Sequence, residues 1–178
     1  RIFVAYLAND GGADAVCLGG RLARSLRAEL DIGLIAPGEQ RDEALAEVVR
    51  EQAADWLDDA QALVPDVPSE AHVAFHDSIA PGIITEAQRV GASAIVVGGS
   101  GGGMVGSHSL GSVVNDLLRA SPLPVVLAPQ GLRNSPVDRM TQITCALGTR
   151  PNAAVLLDFA IASAQAAHVP LRLISLVA

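Results

Sequence analysis

Lysine is missing altogether: all twelve basic residues of the 178-residue chain are arginine. That excludes a lysine on nucleotide phosphates in a Walker loop, and any chemistry through a lysine Schiff base. Cysteine is nearly missing too. Cys17 and Cys145 lie far apart, without metal-ligand spacing, and read as buried reduced thiols. Positive charge is in short supply overall. A net charge of -7 argues against nucleic acid or an anionic membrane as the main partner. An anionic ligand would therefore have to be held by local backbone dipoles. No signal peptide and no run of 18 or more apolar residues appears in these 178 residues, so the expected location is cytoplasmic. The chain opens on Arg1 rather than Met, which is expected where the true N-terminus lies further upstream.

What is present is material for a core. Half of the residues are hydrophobic and 17% are charged, which suits one ordinary domain, or one domain and a fragment of another. Ile2 to Leu7 is a short apolar run that ends in Ala-Asn-Asp-Gly-Gly, a strand and then a turn. Asp14 to Leu30 carries Ala15, Leu18, Leu22 and Leu26 at helical spacing. Leu30 to Ala36 is a second strand, stopped by Pro37-Gly38. Glu39 to Leu63 is an amphipathic helix with an expected buried face of Leu45, Val48, Val49, Ala53, Trp56 and Leu57. Ala71 to Phe75 is a third strand. A third helix begins near Pro81 and ends at Gly91. Ala94 to Val97 and Pro124 to Ala128 are strands four and five, with a glycine loop and a helix between them.

The order βαβαβαβαβ, with strands apolar on both faces, predicts an α/β fold: an open parallel five-stranded sheet with helices on both sides. Ligands in such sheets bind beyond the carboxyl ends of the strands, at a switch point. The loops holding Asp10 and Gly98 fall on that edge. Gln130 to Arg139 is turn-rich and polar and reads as a linker over 131–140. After it a pattern restarts, with strand Ile143 to Leu147, an alanine-rich helix Pro151 to His168 and strand Leu171 to Val177. This βαβ copies the order and approximate lengths of Arg1 to Ala36, so 141–178 reads as the opening of a second repeat that breaks off.

The stretch from Ala94 to Pro129 carries most of the functional signal. Gly98, Gly101, Gly111 and Ser112 are spaced G-x2-G-x9-G-S. Glycine lets a ligand approach the backbone closely, free N–H groups in such a loop form an anion-binding concavity, and the next helix adds its N-terminal amides. Ser112 brings a hydroxyl to that helix start. These are the parts needed to hold a phosphate chain. Three other patterns overlap the loop. Gly101-x-Gly103-x-x-Gly106 matches a dinucleotide loop, but no acid ends the next strand. Gly98-x-Ser100-x-Gly102 matches a nucleophile elbow, but glycine continues where a helix should begin. A serine hydrolase would draw on Asp158 and His168, both in the second βαβ. His72 and His76 flank strand three, His168 ends a helix, and His108 sits in the glycine loop, where it either reaches a phosphate or faces solvent; no pair has metal-ligand spacing.

With its strand before the glycines, Pro-x-Pro-Val-Val-Leu after them, VAYLANDGGADAVCLGGRLARSLRAEL at the start and EAQRVGASAIVVGG further on, the chain resembles the universal stress protein family in its tandem-domain form. The resemblance covers 1–130 as one domain and 141–178 as the opening of a second. It implies a Rossmann-like sheet of strand order 3-2-1-4-5 that binds ATP, with or without Mg²⁺. Gly98, Gly101, Gly111 and Ser112 would hold phosphates and ribose, Val97 would lie near the ribose or base, and Ile35 would contact adenine through its backbone. The family's acid at the end of strand one falls here on Leu7. Asp10 follows after a short insertion, with Asn9 as the alternative and a turn-forming role as the plain reading. The resemblance further implies a regulatory binding module in the stress response with little or no ATP hydrolysis, and a homodimer formed through the 124–128 strand. A scaffold of the same fold that dimerises without nucleotide is the alternative.

Overall fold

The computed structural model describes residues 1–38, 43–99, 111–148 and 153–175. Five strands form one parallel sheet: β1 (Ile2–Tyr6), β2 (Leu30–Pro37), β3 (Ser69–His76), β4 (Ile95–Gly98) and β5 (Val125–Ala128), in the order β3-β2-β1-β4-β5. This is the expected order. The register sets Phe3 beside Ile95 and Ala5 beside Val97 on one flank of β1, and Val4 beside Ile32 on the other.

Successive side chains of a strand face opposite ways, and both faces of the sheet are buried. Val4, Ile32, Leu34 and Val96 pack under α1 (Asp10–Leu26) and α2 (Glu43–Ala62). Phe3, Ile35, Ile95 and Val97 pack under α3 (Ile79–Arg89) and α4 (Ser112–Ala120). Gly33 leaves room for the Phe3 ring, which a Cβ there would strike.

Two helices differ from the expectation. The first begins at Asp10 rather than Asp14, because Asn9 caps it: its Oδ1 accepts the Gly12 N–H at 2.9 Å. The glycines that read as a turn are thus the first turn of a helix. On α2, Ala46, Ala53, Leu57 and Ala60 are buried, whereas Val48 and Trp56 are exposed. The buried face carries small side chains at spacings of seven residues, Ala46, Ala53 and Ala60, with Leu57 between the last two, which seats the backbone close to the sheet and leaves Val48 and Trp56 on the flanks. The Leu45 side chain lies outside the described residues.

Beyond β5, residues 130–139 are fastened along α1. A short 3-10 turn, Leu132–Asn134, follows Gly131, and Met140 N donates to Ser25 Oγ at 2.8 Å. Then β6 (Ile143–Leu147) and β7 (Leu171–Ser175) pair in parallel across α5 (Ala153–Ala167). This two-stranded unit is less buried than the main sheet, with Val155, Leu156, Phe159 and Leu173 exposed. Among the described residues no helix is long and apolar enough to cross a membrane.

Candidate nucleotide site

The strand order reverses between β1 and β4. The two strand ends are drawn together by glycine. A Cβ at Gly98 would overlap the carbonyl of Gly11, and one at Gly12 would overlap that of Leu7. Without side chains, the first turn of α1 can press against the end of β4.

A cavity of about 250 Å³ opens above this contact. Its apolar wall is built from strand ends and helix faces: Ala5, Gly33, Ile35, Ile79, Ile83 and Val97. Gly82 lets α3 close on the sheet, since a Cβ there would lie 2.8 Å from the His76 side chain and 2.9 Å from that of Ile35. Glu86, one turn below Ile83, locks the helix in place. Its carboxylate meets His72 Nε2 at 3.2 Å and His76 Nε2 at 3.1 Å, and accepts from Arg89 Nε at 2.6 Å. Burial alone would push this acid up, but the Arg89 and histidine partners outweigh it and hold it below the usual carboxylate range.

The polar side of the cavity is made of helix starts. Asn9, Gly11 and Gly12 belong to α1; Gly111, Ser112 and Val113 open α4. The two differ in what they offer. The N-terminus of α1 is capped by Asn9 and carries Asp10 in its first turn, whereas α4 begins on Gly111 with no side-chain cap among the described residues. The amides of the first turn of α4, with the Ser112 hydroxyl and the positive end of the helix dipole, are therefore the groups suited to an anion. None of the described lining residues is charged. Tyr6 stands among them, and burial, with the charge of Asp59, pushes its phenol up, so that it remains a neutral donor.

Of the residues singled out in the sequence, Ile35, Val97, Gly98, Gly111 and Ser112 line this one cavity, and so does Asn9. Asp10 does not: its carboxylate is exposed and paired with Arg133 Nη2 at 2.7 Å. Leu7, where the family's acid would fall, is 56% exposed at the rim. Gly101, Ser100 and His108 lie outside the described residues. Asp158 and His168 belong to the β6–β7 unit and do not line the cavity. Among the described residues no group of His, Cys, Asp and Glu could hold a metal ion. Ile79 and Ile83 escaped the sequence reading because a helix face pointing into a cavity has the same spacing as one pointing into a core. The Asn9 cap was legible in principle, as an Asn directly before Asp-Gly-Gly.

The family model of the universal stress proteins matches residues 1–129. The chain belongs to the universal stress protein family. A universal stress protein of Mycobacterium tuberculosis is 29% identical over 155 residues, which are 81% of this chain and 53% of the relative. The chain thus spans about half the length of the curated relatives it matches. Among solved structures, the universal stress protein of Archaeoglobus fulgidus in complex with dAMP has a TM-score of 0.57 at 23% identity, covering 72% of this chain and 97% of its own. A universal stress protein in complex with cAMP has a TM-score of 0.60 at 19% identity, covering 74% and 98%. At these identities the two structures establish the shared fold.

Proposed function

We propose that this universal stress protein binds an adenine nucleotide in the cavity between β1 and β4, and acts as a regulatory module rather than as an enzyme. One observation carries the reading: the apolar slot of Ile35, Ile79, Ile83 and Val97 ends at the uncapped start of α4, at Gly111 and Ser112. A flat base suits the slot, and a phosphate suits the helix start. The dAMP and cAMP complexes of the structural neighbours support the same ligand class. ATP is the ligand expected from the Gly98-x2-Gly101-x9-Gly111-Ser112 spacing. Mg²⁺, where present, would ride on the phosphates. Among the described lining residues there is no carboxylate or imidazole to act as a general base, which supports slow hydrolysis at most.

The first test is to denature the purified protein and identify the released small molecules by mass spectrometry. An adenine nucleotide is expected. Ser112→Ala should then weaken ATP about tenfold, the loss of one hydrogen bond to a charged group; unchanged affinity would remove Ser112 from the site. One observation favours the scaffold reading: an exposed Leu7 stands where the family's acid would be. A folded protein that releases no nucleotide and binds none would decide for it.

We read 141–178 as the opening of a second repeat. The edge strand β5, with Leu127 exposed, is the strand expected to pair antiparallel with that of a second copy. Sedimentation should therefore show concentration-dependent dimers; a monomer at every concentration would contradict this.

A further inference from the structure

Arg133 does not line the cavity, yet it is bonded to Asp10, which sits between two residues that do. The backbone N–H groups of Arg133 and Gly131 donate to Asp14 Oδ1 and Oδ2, each at 2.8 Å. The guanidinium reaches further along α1: Nη1 donates to Asp14 Oδ2 at 3.1 Å and to the Asp10 carbonyl at 3.2 Å, and Nη2 meets Asp10 Oδ2 at 2.7 Å. Asp10 sits between Asn9 and Gly11, both of which line the cavity.

Two physical consequences follow from this arrangement. The contact to the Asp10 carbonyl ties down the first turn of α1, next to the Gly11–Gly98 approach. The contact to the Asp10 carboxylate cancels a negative charge that an anionic ligand would otherwise meet one residue away. The second effect matters in this chain because the lining carries no cation among its described residues and the net charge is -7. The Asp10 side chain is exposed, so salt screens this repulsion and its effect should fall as ionic strength rises.

We infer that Arg133 is a positioning residue for the cavity: it fixes the first turn of α1 and neutralises Asp10, so that an anionic ligand is accepted beside it. The charge half of this inference rests on the nucleotide reading; the bracing half does not.

The test uses the full chain, Arg133→Ala, and Arg133→Ala combined with Asp10→Ala. Titrations use ATP and adenosine, which share the base and ribose but differ in charge. Arg133→Ala should weaken ATP about tenfold and adenosine less than about twofold, with the ATP loss shrinking as salt is raised. Adding Asp10→Ala should recover most of the ATP affinity. Parallel losses of ATP and adenosine, or no recovery in the double variant, would overturn the charge role. Separately, hydrogen exchange without ligand should show the amides of Gly12 and Ala13 opening at least about fivefold faster in Arg133→Ala; unchanged exchange would overturn the bracing role. If the wild-type chain binds neither ligand, the nucleotide reading fails and takes the charge role with it, while exchange still decides the brace.

Discussion

Valine at position 98 is expected to abolish nucleotide binding. A Cβ there meets the carbonyl oxygen, carbonyl carbon and Cα of Gly11. These are backbone atoms in the first turn of a helix and cannot rotate aside as a side chain could. Nor can β4 retreat: Gly98 is paired with Ala128 of β5, and Gly99 N donates to Ala128 O at 3.3 Å. The strain must be relieved by moving Asn9, Gly11 and Gly12, which form the polar side of the cavity. The expected loss of ATP affinity is at least 100-fold, or about 2.8 kcal/mol, with a lowered melting temperature from overpacking. Calorimetry reads the affinity, and circular dichroism checks that the variant is folded. Wild-type affinity in a folded Gly98→Val protein would mean that the ligand lies elsewhere.

Asparagine at position 14 is expected to cost about 3 kcal/mol of stability at neutral pH. Asp14 is 1% exposed and accepts two backbone N–H groups and a guanidinium. An amide supplies one acceptor and turns its own N–H₂ toward a donor. Burial by itself would push the Asp14 carboxyl up; the N–H groups of Arg133 and Gly131 and the charge of Arg133 outweigh it and hold the group below the ordinary range. The sign then follows. An acid depressed in the folded state contributes its full stability above the unfolded value, about 3.9, and loses it as pH falls through the lower folded value. The gap between wild type and Asp14→Asn should be complete at pH 7, begin to shrink below about pH 4 and vanish once the folded-state carboxylate is protonated. Urea denaturation from pH 7 down to pH 2 measures it. A gap that stays constant with pH would show that side-chain shape, not charge, is what position 14 contributes.

Sequence reading reached the sheet and stopped at its long-range fastenings. The apolar runs at Ile2, Leu30 and Ile95, separated by helical periods, were enough for a parallel sheet covered by helices; the strand order came from the family resemblance. Gly98, Gly111 and Ser112 were legible as a group because close backbone approach and an uncapped helix start each require particular residues. The start of α1 was missed, since Gly11 and Gly12 look like loop residues unless Asn9 before them is read as a helix cap. The face of α2 was legible in part: Ala53 and Leu57 are buried as expected, but hydrophobicity also marked the exposed Val48 and Trp56 and passed over Ala46 and Ala60. Arg133 carried no signal at all. Its partners Asp10 and Asp14 lie 123 and 119 residues away, in a segment whose polarity suggested only a linker.

The central claim, an adenine nucleotide seated between β1 and β4, is tested most directly by calorimetric titration of ATP, AMP and cyclic AMP into the folded wild-type chain. The account predicts saturable binding at one site per chain, competitive among the three ligands and lost in Gly98→Val. A folded protein that gives no binding heat with any of them at any temperature tried would contradict it.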